Sequence, residues 1–160
     1  GGYPELHARA LAANAPMLAQ LRAAHQRGVA IYAECGGLMY LGSTLEDAQG
    51  EVHAMADILP GDSKMGKRLT RFGYCEVRAE RQTLLAAPGE TLRGHEFHYS
   101  DFTARLPAAM ACRKTRDGVV LQQWQGGWQL GNTFASYLHV HFAQHPDMLN
   151  HWFAAARSIL

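Results

Sequence analysis

Disulfide frameworks, membrane spans and charge of one sign are all missing from this sequence. Its three cysteines, Cys35, Cys75 and Cys112, form no CxxC pair and no even set of bridges, which favours a reducing, cytosolic setting. No apolar run approaches the roughly 20 residues needed to span a bilayer. The opening GGYPELHARA lacks the basic-then-apolar order of a secretory leader. Fifteen Lys and Arg balance fourteen Asp and Glu to a net charge of +1. The basic residues are scattered rather than striped, so no electrostatic footprint for nucleic acid is expected. No GxxxxGK[ST] phosphate loop occurs either, which argues against a P-loop nucleotide site in this chain.

What is present suits one soluble domain over residues 1–160. The length can bury a core, and 48% hydrophobic with 18% charged residues is an ordinary globular balance. Gly1-Gly2 before Tyr3-Pro4 looks like a turn inside a domain, so the chain is expected to derive from something longer. A helical pattern from Glu5 is interrupted by Pro16. Asn14 or Ala15 suits the end of one helix and Pro16 the first turn of the next. In that second helix Met17, Leu21 and Ala24 share a face, and Gly28 is a C-terminal stop.

VAIYA (29–33) reads as a buried strand of a parallel sheet, and LMYLGSTL as one or two helical turns. Residues 46–68 are polar and turn-rich and are expected to be loop. RLTRFGYCEVRAE and TLRGHEFHYSDF alternate as strands. GVVLQQW and GWQLGNTFASYLHVHF add two more, joined by a Gly126-Gly127 turn. PDMLNHWFAAARSIL reads as a helix with Pro146 and Asp147 in its first turn and Met148, Trp152, Ala155 or Ala156, and Ile159 along one face. Cys75 falls in a strand pattern and is expected in the core; Cys112 falls in a polar turn region and is expected to be incidental. Trp124, Trp128 and Trp152 suit core or interface anchors, and Arg68 and Arg71 a solvated face. A helix–strand–helix unit followed by strand-rich sequence implies an α/β fold with a central mixed sheet.

Chemistry concentrates at IYAECGGLMYLG (31–42). A strand, a sharp turn carrying Cys35 among small neighbours, then a helix is the nucleophile-elbow arrangement. Ala33 and Gly37 lie two positions either side of Cys35, where large side chains would collide. Gly36 lets backbone approach a substrate closely. A helix N-terminus after the thiol is expected to lower its pKa, and backbone N–H groups there can stabilise an oxyanion. The plainer alternative is a buried thiol beside a turn. A thiol nucleophile needs a base, and SYLHVHF offers His139 and His141, which share a face if extended; both are also ordinary residues for a strand end. In GHEFHYS, Glu96 and His98 share one strand face with Gly94 and Ser100, while His95, Phe97 and Tyr99 take the other. Two such ligands fall short of the three or four a zinc site requires, so no metal is expected.

Four blocks, GGYPE (1–5), AECGGLMYL (33–41), RGHEFHYS (93–100) and ASYLHVHF (135–142), occur in this order. Together they resemble the glutaminase domain of the cobyrinic acid a,c-diamide synthases, a class I glutamine amidotransferase-like module of corrin biosynthesis. The resemblance implies a flavodoxin-like α/β fold whose N-terminal strands are missing here. It implies that Cys35 attacks the side-chain amide of L-glutamine to form a thioester and release ammonia, with His139 raising its nucleophilicity. The Gly1-Gly2 turn matches a loop whose backbone N–H joins the oxyanion hole, alongside Gly36 and Gly37. The block with Glu96 and His98 is implied to lie near the site and the domain junction. No cofactor is implied in this domain. Mg-ATP belongs to an N-terminal synthetase domain, absent from this chain, that activates the a and c acetate carboxylates of the corrin and receives the ammonia.

One departure concerns the base. Most class I amidotransferases carry glutamate two residues after the catalytic histidine, where it orients the imidazole; here that position is His141. A histidine cannot stabilise an imidazolium as a carboxylate does, so a Cys–His dyad is expected. Two rival readings stay open, another cysteine hydrolase of the class I-like families and a non-catalytic scaffold that docks on a synthetase domain.

Overall fold

The computed structural model describes residues 2–158. After a 3-10 turn at Pro4–Leu6 come α1 (Ala8–Ala13) and α2 (Ala15–Gln26). Asn14 ends the first and begins the second, its Oδ1 accepting from the Met17 backbone N–H at 3.2 Å. Met17, expected on the inward face of α2, is exposed. Leu21 packs against the core as expected, and Leu18 rather than Met17 is buried beside it.

β1 (Ile31–Glu34) leads through Cys35 into α3 (Gly36–Leu41), followed by β2 (Thr44–Glu46), β3 (Val52–Ala54) and β4 (Gly61–Met65). β5 (Arg71–Ala79), β6 (Thr91–His98), β7 (Ser100–Ala104), β8 (Met110–Arg116) and β9 (Val119–Gly126) come next. The chain closes through β10 (Trp128–Leu130), β11 (Thr133–Ser136), β12 (His139–Val140), a 3-10 turn at Phe142–Gln144 and α4 (Asp147–Arg157).

The strands form three sheets, ordered β1-β11-β10, β12-β6-β5-β8-β9 and β3-β2-β4-β7. The first is mixed, with β1 parallel to β11 and β10 antiparallel, and it divides two hydrophobic cores. Side chains alternate across it. Ile31, Ala33 and Ala135 pack with Leu38, Met39, Leu45, Met55 and Leu59, while Tyr32 and Phe134 turn to Val77, Leu92, Met110, Leu138 and Met148. Leu38, Leu45 and Leu59 are fully buried, and each such leucine stabilises the fold by roughly 1.5–3 kcal/mol. Among the described residues, no helix is long and apolar enough to cross a membrane.

Four sequence expectations are corrected. Residues 46–68 are loop over most of their length as expected, but β3 and β4 also lie there, and the inward positions of β4 are Gly61 and Ser63, too small and polar to betray a strand. The segment LMYLGSTL stops being helical at Leu41 and enters β2 at Thr44. TLRGHEFHYSDF breaks at Tyr99, whose carbonyl accepts from Gly66 N–H, and so passes from the five-stranded sheet to the four-stranded one. Cys112 is buried in β8 opposite Val77 rather than idle in a turn. In α4, Met148 is buried and Trp152 and Ala155 pack beside it as expected; Ile159 lies outside the described residues.

Candidate active site

Cys35 occupies a strained turn at the carboxyl end of a parallel strand, the edge where open α/β sheets place ligands. Its backbone has φ 50° and ψ −105°, a conformation that costs a residue with a β-carbon about 1–3 kcal/mol. The Cys35 N–H donates to the Ser136 carbonyl at 2.7 Å, extending the β1/β11 ladder one residue and fixing the turn. Gly37 is sterically required: a β-carbon there would lie 2.9 Å from that of Ala33. Gly36 is buried at the start of α3.

His139 arrives from the far end of the chain by backbone pairing. β12 lies antiparallel to β6, with His139 opposite His95 and Val140 opposite Gly94. Their approach needs a glycine, because a β-carbon on Gly94 would sit 2.5 Å from the Leu138 side chain and 2.7 Å from the His139 carbonyl oxygen.

Cys35 and His139 line one cavity of about 360 Å³, together with Gly2, Tyr3, Glu5, Gly36, Phe97 and His98. Cys35 is half-buried, and its Sγ lies 3.9 Å from the Phe97 carbonyl. Gly2 has φ 104° and Tyr3 φ 51°, so the turn they form brings backbone to the cavity wall. Gly1 lies outside the described residues, and Gly37 packs against Ala33 rather than lining the cavity. A larger groove of about 710 Å³ adjoins, reaching His139, His95, Arg93 and Gln144 but not Cys35.

The other candidate residues separate. His141 is exposed and lines the larger groove but not the Cys35 cavity. His98 reaches the cavity wall, and Glu96 lies behind it, the two 3.3 Å apart and both buried. His98 Nδ1 is 2.7 Å from the Ser100 carbonyl, and the Trp124 indole N–H donates to Glu96 at 3.4 Å. Gly94, Glu96, His98 and Ser100 face inward together, as their alternation predicts.

Two expectations about reactivity change. Burial pushes the Cys35 thiol above its ordinary pKa rather than below it. The Gly36 backbone N–H opposes that, but the carboxylates of Glu5 and Glu96 add to it. The helix that follows has only six residues, which limits the field at its N-terminus. The second change concerns the base. His139 is not without a carboxylate: its Nδ1 lies 3.3 Å from Oε2 of Glu34, the residue just before Cys35. A contact across 105 positions left no local signal beyond an acidic residue at the end of an apolar strand.

Comparison with known proteins bears on the family and the fold. Residues 1–147 match the family model of the CobB/CobQ-like glutamine amidotransferase domain. A cobyrinate a,c-diamide synthase from Salmonella typhimurium is 77% identical over 160 residues, covering 100% of the chain and 35% of that protein. One from Listeria innocua is 48% identical over 157 residues, covering 98% of the chain and 34% of the relative. The chain thus spans about a third of the length of these curated relatives. Among solved structures, a glutamine amidotransferase superposes with TM-score 0.53 at 16% identity, over 88% of this chain and 68% of that one. Another, from Thermotoga maritima, gives 0.50 at 15% identity over 99% and 58%. At such identities these two speak to the fold, a glutamine amidotransferase α/β fold.

Proposed function

The chain belongs to the CobB/CobQ-like glutamine amidotransferase domain family, and from that footing we propose that Cys35 hydrolyses glutamine with His139 as its proton carrier. One observation carries the reading: a cysteine on a strained elbow shares a single cavity with a histidine from the opposite end of the chain.

In this mechanism His139 takes the Cys35 proton, and the thiolate attacks the side-chain amide carbon of L-glutamine. Backbone N–H groups of Gly36 and Gly2, both on the cavity wall, are the donors for the oxyanion that forms. The imidazolium returns its proton to the amide nitrogen, the C–N bond breaks and ammonia leaves, with a glutamyl thioester remaining. Water, deprotonated by His139, then attacks the thioester and releases glutamate. Because burial raises the Cys35 thiol, the thiolate depends on proton transfer to His139 rather than on a low intrinsic pKa.

The relatives' name and length support a larger assignment, in which the ammonia passes to a synthetase domain that uses Mg-ATP to amidate the a and c acetate carboxylates of a corrin. The three free cysteines accord with a cytoplasmic setting. The test is direct: purified protein should release equimolar ammonia and glutamate from glutamine, and Cys35→Ala and His139→Ala should each abolish this. No turnover by wild type, together with ordinary thiol reactivity at Cys35, would assign a docking scaffold instead. Cleavage of peptides but not glutamine would assign a different cysteine hydrolase.

A further inference from the structure

We propose that Glu34 is the positioning residue for His139, so that the site works as a Cys–His–Glu triad whose carboxylate precedes the nucleophile instead of following the base. The inference rests on the glutaminase reading above. The position two residues after His139 holds His141, which lines the larger groove and not the Cys35 cavity, so the sequence order that usually delivers the carboxylate is broken here. Glu34 approaches the imidazole from the β1 side. Its Oε2 lies 3.3 Å from His139 Nδ1. A carboxylate at that nitrogen favours the Nδ1–H tautomer and leaves Nε2 as the basic atom available to the thiol.

The carboxylate is itself held. The Tyr32 hydroxyl donates to Glu34 Oε1 at 2.5 Å, and the Val140 backbone N–H donates to the same oxygen at 3.0 Å. With Oε1 fixed by two donors, Oε2 is turned toward His139. Tyr32 is steadied by edge-on packing against Phe142 and Trp152, with ring centroids 5.6 and 5.5 Å away. Strand alternation explains how neighbouring residues serve different ends of one imidazole. Glu34 and Cys35 leave the backbone in opposite directions, and the elbow at Cys35 then swings the thiol into the cavity.

Glu34→Gln separates positioning from mere support. The amide oxygen can still accept from Tyr32 and Val140, but the NH2 group then faces Nδ1 and forces the opposite tautomer. The expected result is a kcat for glutamine hydrolysis reduced about 100-fold or more, KM within about two-fold, and a melting temperature near wild type. The pH midpoint for alkylation of Cys35 by iodoacetamide should also move upward, because the imidazolium that pairs with the thiolate loses its carboxylate. Tyr32→Phe, which leaves the carboxylate but frees it to turn, should lower kcat several-fold at unchanged KM. A folded Glu34→Gln protein with wild-type kcat and alkylation profile would overturn the proposal, as would Tyr32→Phe with unaltered kcat if Glu34→Gln fails to fold. Either result beside a wild type that turns over glutamine sinks Glu34 alone. A wild type without turnover sinks the glutaminase reading, and the alkylation midpoints still decide whether Glu34 governs the Cys35–His139 pair.

Discussion

The imidazole of His98 lies face to face with the ring of Tyr137, centroids 3.7 Å apart and planes 7° from parallel. Tyr137 also shares a 2.8 Å hydrogen bond with the buried Ser100 hydroxyl, which in turn donates to Met39 Sδ. Through His98 the stack backs the cavity that Cys35 lines. Tyr137→Phe should keep the stack and lose only the hydroxyl, costing about 1 kcal/mol and lowering Tm by roughly 2–4 °C. Tyr137→Ala should cost about 3–5 kcal/mol and reduce glutamine turnover, because His98 loses the surface that fixes it. Thermal melts beside steady-state kinetics on the two variants check both halves.

Gly94 sets the distance between β6 and β12. A methyl group there meets the Leu138 side chain and, less forgivingly, the His139 backbone carbonyl. Gly94→Ala should therefore destabilise the fold by about 1–3 kcal/mol. Its kcat should fall by more than the unfolded fraction explains, since the atom displaced belongs to His139, the proposed base. Urea unfolding combined with kcat, corrected for folded protein, separates the two effects. An activity loss that vanishes after the correction would show that β12 absorbs the methyl group without moving His139.

At an ordinary position, glycine in place of alanine costs roughly 0.5–1 kcal/mol. At Cys35 the order should invert. With φ at 50° and ψ at −105°, a β-carbon is strained and glycine is not, so Cys35→Gly should match or exceed Cys35→Ala in stability while both are inactive. Denaturation midpoints of these two proteins measure the elbow's strain with no substrate present.

Cys75 and Cys112 bear on alkaline stability. Burial pushes the Cys75 thiol from 9.0 up to about 12, and burial raises Cys112 further in the same direction. The folded protein therefore holds these protons longer than the unfolded chain does. Their stabilising effect is complete below pH 9 and is lost as pH climbs from there toward 12, by up to about 1.4 kcal/mol per pH unit for each thiol. Urea midpoints between pH 8 and pH 10.5 should decline less steeply for Cys112→Ala than for wild type. Parallel slopes would mean that neither thiol is protected as its burial requires.

The elbow was legible in the sequence because its requirements are local: a strand, a turn, and small residues two positions either side of Cys35. The pairing of that cysteine with His139 became readable only through family resemblance, since nothing local joins two strands so far apart. What escaped had two physical causes. β4 buries Gly61 and Ser63, so its inward face carries no hydrophobic pattern. β8 becomes Arg113, Lys114, Thr115 and Arg116 after its third residue, which masked a strand. Its real signal was Asp117-Gly118, whose φ values of 51° and 78° suit the two-residue hairpin turn joining β8 to β9. Glu34 escaped because its partners include Val140 and His139, which lie on the last short strand.

The hydrogen bond from Cys35 N–H to the Ser136 carbonyl ties the elbow to a strand made much later in synthesis. While a ribosome is still making the polypeptide, the β11 strand does not exist, the bend at Cys35 has nothing to hold it, and the sulfur is an unremarkable cellular sulfhydryl. The elbow takes its shape only when β11 docks beside β1, so the geometry at Cys35 reports on the folding of a strand far along the sequence.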